Sequence, residues 1–148
     1  MIKEFVEAWD KNKGKLEEYF KTTPEREYTS YKDLVKLLFY FVINPCMDDN
    51  YYGCKAKYNT KEIVVLDDGD YQGTQIFILH RDTYQPSVEE YVYTHTYYGS
   101  CSGCDTLQGI QGWDWNKTPN EKQVQDYMEL CLHLLQKCNF MVDEIEED

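Results

Sequence analysis

The sequence predicts an α+β domain in which an antiparallel meander of three or four strands packs with N-terminal helices and a long C-terminal helix. Three observations predict it. Apolar residues recur at helical spacing up to Ile43, switch to β-branched and alternating runs between Lys61 and Thr96, and return to helical spacing after Asn120. The strand runs are joined by short, turn-rich segments, which favours antiparallel neighbours over crossover connections. Helices then cover one face of the sheet, in the order α-α-β-β-β-α.

The first helix is expected over residues 2–20. Ile2, Phe5, Val6, Trp9, Leu16 and Phe20 fall on one stripe, with Lys and Glu on the opposite face. Gly14 weakens its middle, and Thr22-Thr23-Pro24 ends it. Ser30 with Asp33 three residues on forms the N-terminal cap of a second helix. Leu34, Val35, Leu37, Leu38, Phe41 and Val42 give that helix a wide apolar face. Asn44-Pro45 stops it, and the loop Cys46-Met47-Asp48-Asp49-Asn50 follows.

Lys61 to Leu66 is a β-branched run, and Asp67-Asp68-Gly69-Asp70 is a turn. Thr74 to His80 and Glu89 to Thr96 read as two further strands, the latter alternating Tyr91, Tyr93 and His95 against Glu90, Val92 and Thr94. For the last helix, Thr118-Pro119-Asn120-Glu121 predicts a threonine N-cap, proline at the first helical position and a capping-box glutamate. Val124, Tyr127, Met128, Cys131, Leu134, Leu135 and Cys138 line one face, so both cysteines are expected in the core.

A length of 148 residues argues for one domain, residues 1–148, with an acidic tail over about 143–148. The chain is 42% hydrophobic and 16% aromatic, with 14 tyrosines, which is too apolar for a disordered chain. Its net charge of −12 argues against nucleic acid as a ligand, because phosphates are neutralised by Lys and Arg. The same field suits a protein partner with a basic surface, or solubility alone. Met1-Ile2-Lys3-Glu4-Phe5 lacks the apolar core of a signal peptide, and Leu37 to Ile43 is too short to span a membrane. The expectation is a reducing cytoplasm, where six cysteines are thiols or metal ligands rather than structural disulfides.

The most chemically distinctive segment is Tyr98-Gly99-Ser100-Cys101-Ser102-Gly103-Cys104-Asp105. A strand feeding a C-x-x-C that opens a helix is a redox geometry, because a helix N-terminus favours the thiolate. A thioredoxin-like fold would add a βαβ unit and a cis-proline strand, and neither is visible. A second reading is a four-cysteine zinc site made by Cys46, Cys54, Cys101 and Cys104, although the seven residues between the first two exceed the usual short spacing. A third is a tight turn in which the cysteines pack as small buried hydrophobes and Asp105 caps the following helical turn; a disulfide is a fourth. His95 can serve Cys101 as a base or pack half-buried among tyrosines. Asp67, Asp68 and Asp70 read as a solvated hairpin turn rather than a cation site. Trp113 and Trp115 can anchor a partner or close the bottom of the core.

Asp70-Tyr71-Gln72-Gly73, the strand Gln75 to Leu79 and the segment Tyr98 to Gln108 together resemble a pattern in small uncharacterised bacteriophage proteins. There a Tyr-Gln-Gly turn precedes a strand pair and a Gly-Ser-Cys-Ser-Gly-Cys-Asp turn follows it. The resemblance spans residues 61–112, about a third of the chain. It implies a phage or prophage origin and expression in the cytoplasm of a bacterial host, and it carries no activity with it. Small acidic phage proteins often bind and block a host protein, so the context points to an anti-defence inhibitor.

The expected function is therefore a non-enzymatic protein that binds and modulates a host protein through an acidic, Tyr-rich surface, with no cofactor, nucleic acid or membrane. Tyr98, Ser100, Cys101, Ser102, Cys104, Asp105, Trp113 and Trp115 are the candidate binding residues. One alternative is a zinc-binding or thiol-redox protein centred on Cys101 and Cys104. Another is a sequestering protein for a small nucleotide signal, using Arg81 or lysines with tyrosine stacking.

Overall fold

In the computed structural model, residues 1–47 and 56–142 are described. Helix α1 (Lys3–Thr22) buries Phe5, Ala8, Trp9, Leu16 and Phe20, the stripe expected from their spacing. Asn12 lies on the same buried stripe. Its Nδ2 donates to the Val42 carbonyl at 2.9 Å and to Cys46 Sγ at 3.2 Å, so a polar side chain satisfies a carbonyl at the end of the next helix.

That next helix, α2 (Tyr31–Leu38), opens with the expected capping box between Ser30 and Asp33. It runs on through a π-turn at Phe39–Ile43 and a 3-10 turn at Asn44–Cys46. Neither irregularity is announced by the apolar pattern, because Leu37 to Ile43 is apolar or aromatic throughout. The π-turn buries Phe39, Val42 and Ile43 and leaves Phe41, expected on the inward face, half-buried. A single 3-10 turn, Glu25–Glu27, links α1 to α2.

The sheet is an antiparallel meander in the order β1-β2-β3-β4. Strand β1 is Val64–Asp67, β2 is Gly73–His80, β3 is Tyr91–Tyr98 and β4 is Asn139–Phe140. The first strand starts three residues later than expected. The third starts two residues later, because Val88–Glu90 forms a 3-10 turn first. After β3 come the short helix α3 (Thr106–Ile110) and the long C-terminal helix expected from the sequence, α4 (Glu121–Gln136), which precedes β4.

The N-cap of α4 is Asn120 rather than Thr118. Asn120 Oδ1 accepts from the Gln123 amide and Gln123 Oε1 accepts from the Asn120 amide, both at 2.8 Å. This amide pair closes the capping box two residues downstream, and Pro119 is buried just ahead of it. The inward face is unchanged by the shift. Cys131 and Cys138 are wholly buried, as their spacing predicts.

Phe77 and Leu79 of β2, with Val92, Thr94 and Thr96 of β3, face the helices; Thr94 Oγ1 donates to the Leu134 carbonyl at 2.6 Å. Beneath them Phe20, Tyr28 and Tyr127 meet, with ring centroids 5.0–5.2 Å apart. Against this cluster the buried carboxylate of Glu25 accepts from the Tyr127 hydroxyl at 2.8 Å, the Gly112 amide at 3.2 Å and Gln123 Nε2 at 3.3 Å. Among the described residues no helix is long and apolar enough to cross a membrane.

Candidate functional site

The cysteine turn begins where β3 ends. Cys101 O accepts from the amides of Cys104 at 3.1 Å and Asp105 at 2.9 Å, which curls residues 101–105 into one tight loop. Gly99 is required at its base, since a Cβ there would stand 2.4 Å from the Cys104 carbonyl oxygen.

Asp105 anchors the loop from inside. Its buried Oδ1 accepts from the Tyr31 hydroxyl at 2.8 Å and the Gly99 amide at 3.1 Å. Its Oδ2 accepts from the Gln108 amide at 2.9 Å, the predicted cap of α3. The Tyr31 hydroxyl in turn accepts from the Leu107 amide at 3.1 Å. Burial beside this carboxylate raises the Tyr31 hydroxyl well above its ordinary pKa.

With the frame inside, both sulfurs lie outside. Cys101 and Cys104 are exposed, which overturns the reading of them as buried packing residues. The turn's small residues are needed for backbone closure, and Asp105 with Tyr31 fills the inner space instead. Cys101 Sγ and Cys104 Sγ are 3.0 Å apart. Cys104 Sγ also accepts from the Cys101 amide at 3.3 Å and has the Ser100 hydroxyl at 3.7 Å. The Cys101 thiol first, then the Ser100 hydroxyl and the Cys101 amide, bring the Cys104 pKa down to about 7. Ser102 is exposed at the tip.

Tyr98 is half-buried, and its hydroxyl donates to Asp67 Oδ1 at 2.5 Å, tying the end of β3 to the β1–β2 turn. That bond pushes the Tyr98 hydroxyl up to about 12 and draws the Asp67 carboxyl down. Asp68 Oδ1 accepts from the Thr74 amide at 2.7 Å, so these acids organise their hairpin turn as expected.

The core-closing reading of Trp113 and Trp115 is overturned: Trp113 is fully exposed and Trp115 is exposed as well. Their loop is held by backbone, with Trp115 O accepting from the Arg26 amide at 2.8 Å and Lys117 O from the Glu25 amide at 3.1 Å. The nearby buried apolar positions are filled by Leu107, Ile110 and Pro119. His95 is exposed rather than half-buried.

The zinc reading is only partly placed. Cys54 lies outside the described residues, and Cys46 is exposed against Asn12 in the α1–α2 region. Among the described residues no three His, Cys, Asp or Glu side chains converge as a metal would require. Arg81, offered for a nucleotide, is buried: its guanidinium lies 4.5 Å from the Tyr58 ring centroid and donates to the Ala56 carbonyl at 2.6 Å. Lys15, Lys57 and Lys61 instead line a surface cleft with Tyr40, Phe41 and Tyr58.

One surface was legible only in part. By register, Val64, Ile78 and Tyr93 form one row across the outer face of the sheet, Leu66, Ile76 and His95 the next, and Tyr97 lies opposite Thr74. Val64, Leu66 and Tyr97 are each more than half exposed. The alternation of Tyr91, Tyr93 and His95 signalled a tyrosine face, but the apolar contribution of β1 and β2 depends on pairing partners. No known protein family, characterised protein or solved structure matches the chain.

Proposed function

We propose that the chain is a non-enzymatic binding protein that modulates a protein partner through the outer face of its sheet. The observation that carries this reading is the make-up of that face. An antiparallel sheet solvated on one side ordinarily turns polar residues outward. Here Val64, Leu66, Ile76, Ile78, Tyr91, Tyr93 and Tyr97 share the outer side. A contiguous apolar and aromatic patch on a surface is characteristic of an interaction site, with tyrosines as anchors. Asp67, Asp68 and Asp70 border one end of the face and Glu89 and Glu90 the other. With a net charge of −12, the complementary partner carries a basic rim around an apolar centre. The resemblance to small phage proteins makes that partner a host protein of the bacterial cytoplasm.

The test is capture from bacterial lysate at low salt, comparing the parent with the double variant Leu66→Glu/Tyr93→Glu. The reading expects a specific partner retained by the parent and lost by a variant whose circular dichroism is unchanged. Retention of the same protein by both, or of none by either, would count against it.

A second reading rests on the lysine cleft. Lys15 and Lys61 beside the exposed Tyr40 can hold a small anionic ring compound such as a nucleotide signal, against the one carboxylate of the cleft, Asp82. Equilibrium dialysis against cyclic nucleotides, with Lys15→Glu/Lys61→Glu as control, decides that reading.

A further inference from the structure

We propose that Cys101 and Cys104 form a thiol–disulfide exchange site for a small exposed disulfide, with Cys104 as the attacking sulfur and Cys101 as the resolving one. The site is independent of the sheet face. Its first support is distance: the two sulfurs stand 3.0 Å apart, so a disulfide at about 2.05 Å needs only a small side-chain movement. Its second is access, since both thiols are exposed on the tip of a turn.

The third support is asymmetry. The Cys101 thiol, the Cys101 amide and the Ser100 hydroxyl all surround Cys104 Sγ. As a thiolate, Cys104 accepts from the Cys101 amide, and from the Cys101 thiol and Ser100 hydroxyl when these turn toward it. The acceptor nearby is the Cys101 carbonyl at 3.5 Å, and the thiolate is the nucleophile. The other ionisable groups of the turn are Cys101 itself, Tyr98, whose hydroxyl is given to Asp67, and Asp105, whose carboxylate faces inward to Tyr31 and Gly99. No carboxylate of the turn therefore opposes charge on Cys104. The fourth is the frame: Asp105, Tyr31 and Gly99 hold the loop closed from inside, so the sulfurs keep their relation without each other.

The remaining described core cysteines are unsuited to the role. Cys131 and Cys138 are buried, and burial pushes the Cys138 thiol up to about 12 and Cys131 higher still. They stay protonated and out of reach.

The reaction balances without a cofactor. The Cys104 thiolate attacks one sulfur of R–S–S–R; a Cys104–S bond forms, the substrate S–S bond breaks, and one thiolate leaves and takes a proton from water. Cys101 then loses its proton to solvent and attacks Cys104 Sγ. The intramolecular disulfide forms and the second thiolate leaves. Two protein thiols have been oxidised, and the same two electrons have reduced one disulfide to two thiols.

At pH 7 a thiol with a pKa of about 7 is half ionised, against a few per cent for an ordinary cysteine. The lower basicity of such a thiolate costs part of this gain, leaving about a three- to sixfold faster attack. The experiment uses the chain with Cys46→Ser and Cys54→Ser, reduced in the presence of chelator, freed of reductant and mixed with glutathione disulfide. Peptide mass mapping should find a Cys101–Cys104 disulfide and two glutathione thiols released per chain. Cys101→Ser, whose hydroxyl keeps a donor beside Cys104, should stop at a mixed disulfide on Cys104. Cys104→Ser should react at Cys101 more slowly at pH 7 than Cys101→Ser reacts at Cys104. Glutathione left on both cysteines, links between chains, or faster reaction at Cys101 than at Cys104 would overturn the proposal.

Discussion

The buried carboxylate of Asp105 accepts the hydroxyl of Tyr31 at 2.8 Å, joining residues 74 positions apart. Because that hydroxyl also accepts the Leu107 amide, one oxygen ties the start of α2 to both the cysteine turn and α3. Tyr31→Phe removes both bonds and leaves a buried acceptor short of a donor. The expected loss is about 2 kcal/mol, read as a lower denaturant midpoint at unchanged slope.

Glu25 predicts a larger effect. Glu25→Ala strands the Tyr127 hydroxyl inside the aromatic cluster and the half-buried Gly112 amide, and leaves Gln123 Nε2 with only the Ile110 carbonyl. A loss of about 3 kcal/mol or more is expected from thermal or chemical unfolding. Glu25→Gln, which keeps an acceptor in place, should recover part of it.

The tyrosines make stability fall in alkali. In the fold Tyr28, Tyr31 and Tyr127 are raised above their ordinary pKa chiefly by burial, and Tyr98 is raised to about 12 by Asp67. Below about pH 10 these groups are neutral in both states, and their contribution is fully present. Between about pH 10 and 12 the unfolded chain ionises them while the folded chain does not, so the unfolded state binds fewer protons and stability declines as pH rises. Ultraviolet titration should show part of the tyrosinate signal appearing only together with loss of the fold. Tyr98→Phe should make the decline shallower.

Leu66 gives the opposite kind of prediction. It is half exposed on the outer face of the sheet, and Leu66→Lys should change stability by no more than about 0.5 kcal/mol in calorimetry. A loss several times larger would mean that the outer face is needed for the fold itself.

Much of this architecture was legible because local signals and burial agree. The Ser30–Asp33 capping box, the α1 stripe and the inward cysteines of α4 follow from spacing alone. Where a choice depended on distant partners, spacing was silent. Glu25 looks like a solvent acid in its own segment, yet its partners come from residues 112, 123 and 127. The cysteine turn was visible as a motif, but which way its sulfurs face depends on Tyr31 filling the inside. The sequence left the two tryptophans between anchoring a partner and closing the core, because which one holds depends on their loop being held by its backbone rather than by their side chains. Strand β4 has two residues, too few to carry a period.

Among the described residues strand β1 is paired on one side only, and a lateral strand of that kind can pair with a chain that lies alongside. Two things restrain that: the strand is four residues long and ends in Asp67, and every copy carries a charge of −12. The second restraint is electrostatic and therefore conditional. At low ionic strength copies hold one another off; at about 1 M salt the Debye length shrinks to about 3 Å and that repulsion is gone. The protein's colloidal behaviour is thus written into its lateral strand. It should stay dispersed in dilute buffer and lose that mutual repulsion as salt is added.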